Sequence, residues 1–123
     1  MDYMISIIIP LYNAEMFLKD TINSVIKQSI GFSNLQLLIC DDHSTDNSKK
    51  VAQEFEKRYK NIKVLSTDYT TGSASTPRNR CLEQVLAPFV MFLDNDDLLP
   101  KDSCRVLYDA INNSDYDFVC GCY

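Results

Sequence analysis

The chain has no block of lysine or arginine, no apolar run of membrane-spanning length and no paired CxxC spacing among its five cysteines. Each absence removes a class. Without a basic block, and with a net charge of -5, the chain lacks the means to neutralise a run of phosphates, so nucleic acid is not an expected partner. The apolar start, Ile5 to Ile9, is far too short to cross a bilayer and lacks the basic flank and cleavage site of a signal peptide, so it is expected to be a strand. The cysteines, at 40, 81, 104, 120 and 122, are odd in number and fit neither a disulfide scaffold nor a zinc ribbon. They read as reduced thiols of a cytosolic protein. Linkers, internal repeats and low-complexity segments are also lacking, and 123 residues suffice for one compact domain with a single core. Hydrophobic residues at 46% and charged residues at 24% are the proportions of an ordinary globular protein, which excludes disorder.

What is present is an alternation of apolar runs and amphipathic stretches. Ile5, Ile7, Ile8 and Ile9 form a β-branched strand stopped by Pro10, and Asn13 is placed to cap a helix with Leu18, Ile22, Val25 and Ile26 on one face and Gly31 at its end. Leu35 to Cys40 is a second strand. A helix capped by Ser44 or Asp46 follows, with Val51, Phe55 and Tyr59 inward and Lys49, Lys50 and Lys57 on its wet side. Ile62 to Leu65 is a short third strand, and the polar loop from Ser66 to Ser75 is long enough to be functional. Thr76-Pro77 opens a helix that is expected to bury Leu82, Val85 and Leu86 and to stop before Pro88. Phe89 to Leu93 lacks alternation, as in a strand buried on both faces. Pro100 starts a helix with Leu107, Ala110 and Ile111 inward, and Asp117 to Cys120 begins a fifth strand. Strand and helix alternate throughout, so the fold class is α/β, a mostly parallel sheet with helices on both faces.

Two acid clusters stand at strand ends, Asp41-Asp42-His43-Ser44-Thr45-Asp46 and Asp94-Asn95-Asp96-Asp97. In an open parallel sheet all carboxyl ends share one edge, and ligands bind in the crevice there. Two like charges ~4 Å apart repel by roughly 4 kcal/mol at an effective dielectric of about 20, so the second cluster needs protons, solvent or a cation. An oxygen-only donor set favours Mg2+ or Mn2+. The bland alternative is a solvated loop whose acids cap the helix after Pro100.

The segments Ile7-Ile8-Ile9-Pro10-Leu11-Tyr12-Asn13, Cys40 to Asp46, Pro77-Arg78-Asn79 and Phe92 to Asp97, in this order and spacing, resemble the family 2 inverting glycosyltransferases of the GT-A fold. The match spans nearly the whole chain. The resemblance implies a nucleotide-sugar site lined by Pro10, Tyr12 and Asn13, with Tyr12 packing beside the base, although an aromatic there could equally plug the core. It implies that Asp42 accepts from the imide N–H of uracil, that Asp94 faces the ribose, and that Asp96 binds an Mn2+ or Mg2+ bridging the diphosphate. Asp97 is left as a neighbour of the metal or a helix cap, and Arg78 as a phosphate or sugar contact or a structural ion pair. The implied reaction moves a sugar from a nucleoside-diphosphate donor, expected to be a UDP-sugar, to a saccharide or lipid-linked acceptor hydroxyl with inversion.

Three departures from the family's pattern are informative. His43 stands where relatives usually carry glycine, and histidine tolerates positive φ, so it reads as a loop residue and not a base. Cys81 replaces another usual glycine on an expected buried helix face. The family's acceptor-binding half and its catalytic base lie beyond the equivalent of residue 123, so the chain is expected to be a single domain, residues 1-123, truncated on its carboxyl side, with no general base among its own residues. On that ground a non-catalytic nucleotide-sugar-binding fragment is an alternative reading. A phosphoacceptor receiver domain is another, but it needs acids after the first strand, where Pro10-Leu11-Tyr12-Asn13 stands, and a lysine after the fifth. Relatives often work at the cytoplasmic face of a membrane, so the expected location is cytoplasmic, with peripheral association at the inner face left open.

Overall fold

In a computed structural model, residues 2–68 and 75–112 are described. Their order is β1 (Ile5–Leu11), α1 (Glu15–Ile26), a short 3-10 turn (Phe32–Asn34), β2 (Leu35–Asp41), α2 (Ser48–Arg58), β3 (Ile62–Ser66), α3 (Ser75–Leu82), β4 (Phe89–Phe92) and α4 (Ser103–Asn112). The strands lie in the order β3-β2-β1-β4 and every pairing is parallel. The expected fifth strand, Asp117 to Cys120, lies outside the described residues, as do residues 69–74 of the loop after β3.

Side chains alternate across a strand, and here each set meets a different layer. Ile5, Ile7, Ile9 and Leu11 of β1 and Leu35, Leu37 and Ile39 of β2 pack with Leu18, Ile22 and Val25 of α1, Ala52 and Phe55 of α2 and Cys104 of α4. Ile8, Leu38 and Cys40 face the other way and pack on Cys81 of α3. Both faces of β1 and β2 are therefore covered, which is why those strands are mostly apolar without alternation, with Ser6 and Gln36 as the polar exceptions before Asp41. Fully burying one such side chain contributes about 2 kcal/mol, so this central pair dominates the core.

The edge strand differs. β4 was expected to be buried on both faces, but its exposure alternates, with Val90 and Phe92 open at 38% and 51%. The register pairs Ser6 with Val90 and Ile8 with Phe92, so both lie on the α3 face. α3 packs chiefly over β1, β2 and β3, and its Arg78 guanidinium lies over the Phe92 ring at 5.7 Å. Phe89 and Met91 point to the layer of α1 and α4, where the Phe89 ring meets Tyr108 edge-on at 5.6 Å.

Four local expectations are corrected. The α1 cap is Ala14, not Asn13, whose φ of +45 takes it out of the helix. α1 ends at Ile26, and Gly31, at φ +96, instead opens the 3-10 turn. α3 stops at Leu82 and buries Pro77 and Cys81, while Leu82 and Leu86 are exposed and only Val85 packs inward. α4 begins at Ser103, with Ala110 outward. Cys40, Cys81 and Cys104 are free and buried, and burial pushes the Cys104 thiol up to about 12, so all three act as core residues.

Two polar networks hold the loops that carry the acids. Along α1, the Thr21 hydroxyl donates to the Asn95 carbonyl at 3.2 Å, and Ser24 Oγ accepts from the Leu99 N–H at 3.0 Å. Buried Gln28 donates to the Pro100 carbonyl at 2.8 Å and accepts from the Cys104 N–H at 2.9 Å. α1 and Gln28, two residues past its end, thus fix the segment from Asn95 to the start of α4. At the strand ends, the loops before α1 and α2 interlock. Asp46 accepts from the Ser48 N–H at 2.9 Å and the Glu15 N–H at 3.2 Å, and the Ala14 N–H donates to Ser48 Oγ at 2.8 Å. Asn13 Oδ1 accepts from the Thr45 N–H at 2.8 Å, and Glu15 accepts from the Asn47 side chain at 3.1 Å. One carboxylate serves the first turn of both helices, where N–H groups have no intrahelical partner.

Gln28→Ala leaves a buried carbonyl and a buried N–H without their partner, and the expected loss is about 2 kcal/mol in urea denaturation. Asp46→Ala removes a cap from two helices at once, with an expected loss of about 1–2 kcal/mol. Burial opposes the charge on Asp46, but the Ser48 hydroxyl and the N–H groups of Ser48 and Glu15 outweigh it and hold the carboxyl below the ordinary aspartate value. Its contribution is accordingly complete above the unfolded value of about 3.9 and is lost as pH falls through the lower folded value. The difference in melting temperature between wild type and Asp46→Asn should shrink once the pH is below both values. A difference unchanged in acid means that charge has no part in the cap.

Candidate active site

Parallel register brings the acids together. Leu11 pairs with Asp41 and Asp41 with Ser66, so β1, β2 and β3 end side by side, and β4 delivers its acids two residues past the Ile8–Phe92 pair. The edge has two chemically different parts.

The first part is buried. Asp41 is 2% exposed and accepts from the Ser44 N–H and hydroxyl, the latter at 2.5 Å. Asp42 is 3% exposed, and its Oδ1 accepts from the Thr67 hydroxyl at 2.8 Å. The backbone ties the same residues across the sheet, the Asp42 N–H to Leu11 O at 2.9 Å and the Thr67 N–H to Asp41 O at 3.1 Å. A carboxylate out of water is costly unless fixed donors replace its hydration, and these donors supply that. His43, at φ +59, lies outside and contacts the Thr67 carbonyl through Nε2 at 2.6 Å. The sequence expectation that His43 occupies a left-handed loop position is met.

The second part is exposed. Asp94, Asp96 and Asp97 each offer a carboxylate oxygen, and these lie within 4.8 Å of one another. They form the one such three-acid group found among the described residues. Three convergent hard oxygens fit a divalent cation such as Mg2+ or Mn2+ and suit softer metals poorly. The helix-cap alternative for Asp97 is removed, because α4 begins six residues later at Ser103, and the Asp97 N–H instead closes a turn onto Asp94 O at 3.2 Å.

The remaining expected residues flank these acids. Tyr12 is 48% exposed, and its carbonyl accepts from Asn95 Nδ2 at 3.4 Å, which places it between the two parts and excludes the core-plug reading. Asn13 spends its side-chain amide on Thr45, so it shapes the loop. Pro10 does not end the strand. It is buried inside β1 and paired with Cys40. Arg78, at the start of α3, reaches Asp94 at 3.5 Å with its guanidinium over the Phe92 ring at 5.7 Å, and its Nε is buried with no hydrogen-bond partner. A groove of about 750 Å3 between α1 and the 98–101 segment contains none of these acids.

Sequence reasoning missed Thr67, Ser48 and the Thr21, Ser24, Gln28 face. Thr21 and Ser24 had a signal, since polar residues three apart share one helix face, and Gln28 continues that spacing just past the helix end. Thr67 had none, because its partner Asp42 is distant in sequence.

Comparison with known proteins places this geometry. Escherichia coli WfgD, a UDP-Glc:alpha-D-GlcNAc-diphosphoundecaprenol beta-1,3-glucosyltransferase, is 36% identical over 122 residues, which is 99% of this chain and 46% of that protein. TarP, a poly(ribitol-phosphate) beta-N-acetylglucosaminyltransferase of Staphylococcus aureus, is 35% identical over 97% of this chain and 36% of its own length. The chain thus spans less than half of these relatives. The crystal structure of S. aureus TarS residues 1-349 in complex with UDP superposes with a TM-score of 0.82 at 29% identity, covering 89% of this chain and 32% of that one. The architecture is that of the GT-A glycosyltransferases. The glycosyl transferase family 2 model matches residues 6–123, and the chain belongs to that family.

Proposed function

We propose that these residues form the donor-binding half of an inverting glycosyltransferase that takes a sugar from a UDP-linked donor and passes it to a saccharide or lipid-linked hydroxyl. The observation that carries this reading is the meeting, at one sheet edge, of a buried, fixed carboxylate and an exposed group of three. TarS, similar over 89% of this chain, has been solved with UDP and with UDP-GlcNAc, which supports the choice of nucleotide.

Each part has a task in this scheme. Asp42 accepts from the imide N–H of uracil; a buried acceptor discriminates well, because a base without that donor leaves it unsatisfied. Tyr12 sets its ring beside the base, within walls that Pro10 and Asn13 shape. Asp94 faces the ribose and steadies Arg78, whose guanidinium is directed to phosphate. Asp96, with Asp97 beside it, would hold Mn2+ or Mg2+. Such an ion, when bound, neutralises the diphosphate and acts as a Lewis acid for its departure. We assign these residues the donor side of the reaction alone, and place the protein at the cytoplasmic side of a membrane, where lipid-linked acceptors are met.

Titration of UDP with Mn2+ and with EDTA, beside thermal melts, tests the assignment. Wild type should bind at least about tenfold more weakly in EDTA. Asp96→Asn should bind weakly and indifferently to metal while melting as wild type does, and Asp42→Ala should lose the preference for UDP over GDP and ADP. Equal affinity in Mn2+ and EDTA would remove the metal from the scheme. An unchanged nucleotide preference in Asp42→Ala would remove Asp42 from the base site. Single-turnover sugar transfer separates an enzyme from a binding fragment.

A further inference from the structure

We infer that His43 is a positioning residue of the nucleotide site: through the Thr67 carbonyl it holds the Thr67 hydroxyl on Asp42, and so fixes how that carboxylate meets the base. The inference rests on the reading of Asp42 given above.

It begins with an unfavourable backbone. His43 has φ +59, a region that residues with a Cβ rarely enter and where glycine is at ease. The site retains a large side chain there, and that side chain makes a short contact, Nε2 to Thr67 O at 2.6 Å. A carbonyl oxygen only accepts, so Nε2 carries the hydrogen and donates. A strained position held by a specific bond points to a local task.

The task follows from what Thr67 touches. Three consecutive residues of the β2 end grip it: Asp41 O accepts from its N–H at 3.1 Å, Asp42 Oδ1 accepts from its hydroxyl at 2.8 Å, and His43 donates to its carbonyl. Thr67 and Asp42 are both buried, at 5% and 3% exposure, while His43 is exposed. Thr67 directly follows β3, whose last residue is Ser66. Two of the three bonds are made by main-chain and carboxylate groups outside the side chain of residue 43. The third depends on the histidine. With it, the Thr67 peptide cannot rotate, the hydroxyl stays on Oδ1, and the carboxylate plane of Asp42 is set. Glycine would relax the backbone and give up that bond.

The consequence is a separation of stability from selectivity. Uracil presents an imide N–H at the position where cytosine presents an acceptor, so the ratio of UDP to CDP affinity reads the direction of the Asp42 carboxylate. His43→Gly should melt no lower than wild type, because strain is relieved, yet bind UDP on the order of tenfold more weakly with a narrowed UDP to CDP ratio. Thr67→Val, which removes the hydroxyl, should give the same narrowing, and the double variant should be no worse than either single one, since both cut one chain of bonds. His43→Asn, tolerant of positive φ and able to donate an amide N–H, should recover part of the ratio.

Calorimetry with UDP and CDP on these four variants and Asp42→Ala settles the matter. Wild-type affinity and ratio in His43→Gly overturn the inference and leave the histidine as a loop residue. Equal weakening of both nucleotides, additive with Thr67→Val, also overturns it, because the ring then touches the ligand directly. An unchanged ratio in Asp42→Ala overturns the reading of Asp42, and this inference with it, whereas a ratio lost in Asp42→Ala but kept in His43→Gly overturns the inference alone.

Discussion

The site depends first on the double cap at Asp46. A parallel sheet sends every crossover helix away from the same edge, so the first turns of α1 and α2 begin side by side, each with N–H groups that lack a helical partner. Asp46 lies between them and accepts from Ser48 and Glu15, while Ser48 Oγ, Glu15 and Asn13 return bonds across the gap. Negative charge at two converging helix starts is favoured by both dipoles. With that charge supplied by Asp46, the strand-end acids Asp41 and Asp42 are left to other donors. The capping demand and the proposed binding role fall to different carboxylates of one short loop.

The two sets of acids at the edge solve different problems. Asp42 is out of water and satisfied by fixed groups, so its acceptor capacity has a set direction, which suits recognition of a neutral base edge. Asp94, Asp96 and Asp97 remain in solvent, where their mutual repulsion is screened until a cation or a charged ligand arrives. Exposure leaves the cluster open to an incoming ion, and the Thr21 and Ser24 bonds to its loop keep it placed.

Much of this was legible in the sequence, for a physical reason: β1 and β2 are covered on both sides, so each is a mostly apolar run without alternation, and acids that follow such a run emerge at the sheet edge. The readings that failed depended on which faces have cover. Leu82 and Leu86 carry an apolar helical spacing, yet α3 ends beneath them and they stay open. Phe92 reads as core and is half exposed, because α3 packs chiefly on β1, β2 and β3. Asn13 has the composition of a cap, but its φ of +45 and its bonds to Thr45 belong to a contact with residues more than thirty positions away. Buried Ser6 and Gln36 likewise look like flaws in their strands. They bond each other at 2.6 Å and hold the turn before β4 through the N–H groups of Leu86 and Ala87. Tertiary partners decide such cases, and local pattern does not contain them.

Arg78 shows how exposure and placement combine. Its helix packs chiefly on β1, β2 and β3, so the open face of Phe92 is available as a platform for the guanidinium at 5.7 Å. From there it reaches Asp94 at 3.5 Å, a long contact between half-exposed groups that adds little to stability. A tight bidentate pair would have committed both charges to each other. The looser pair leaves the guanidinium able to turn toward an incoming anion while Asp94 keeps it from swinging into solvent. The same sparse cover that leaves Phe92 half exposed thus lets one arginine stand beside the strand-end acids.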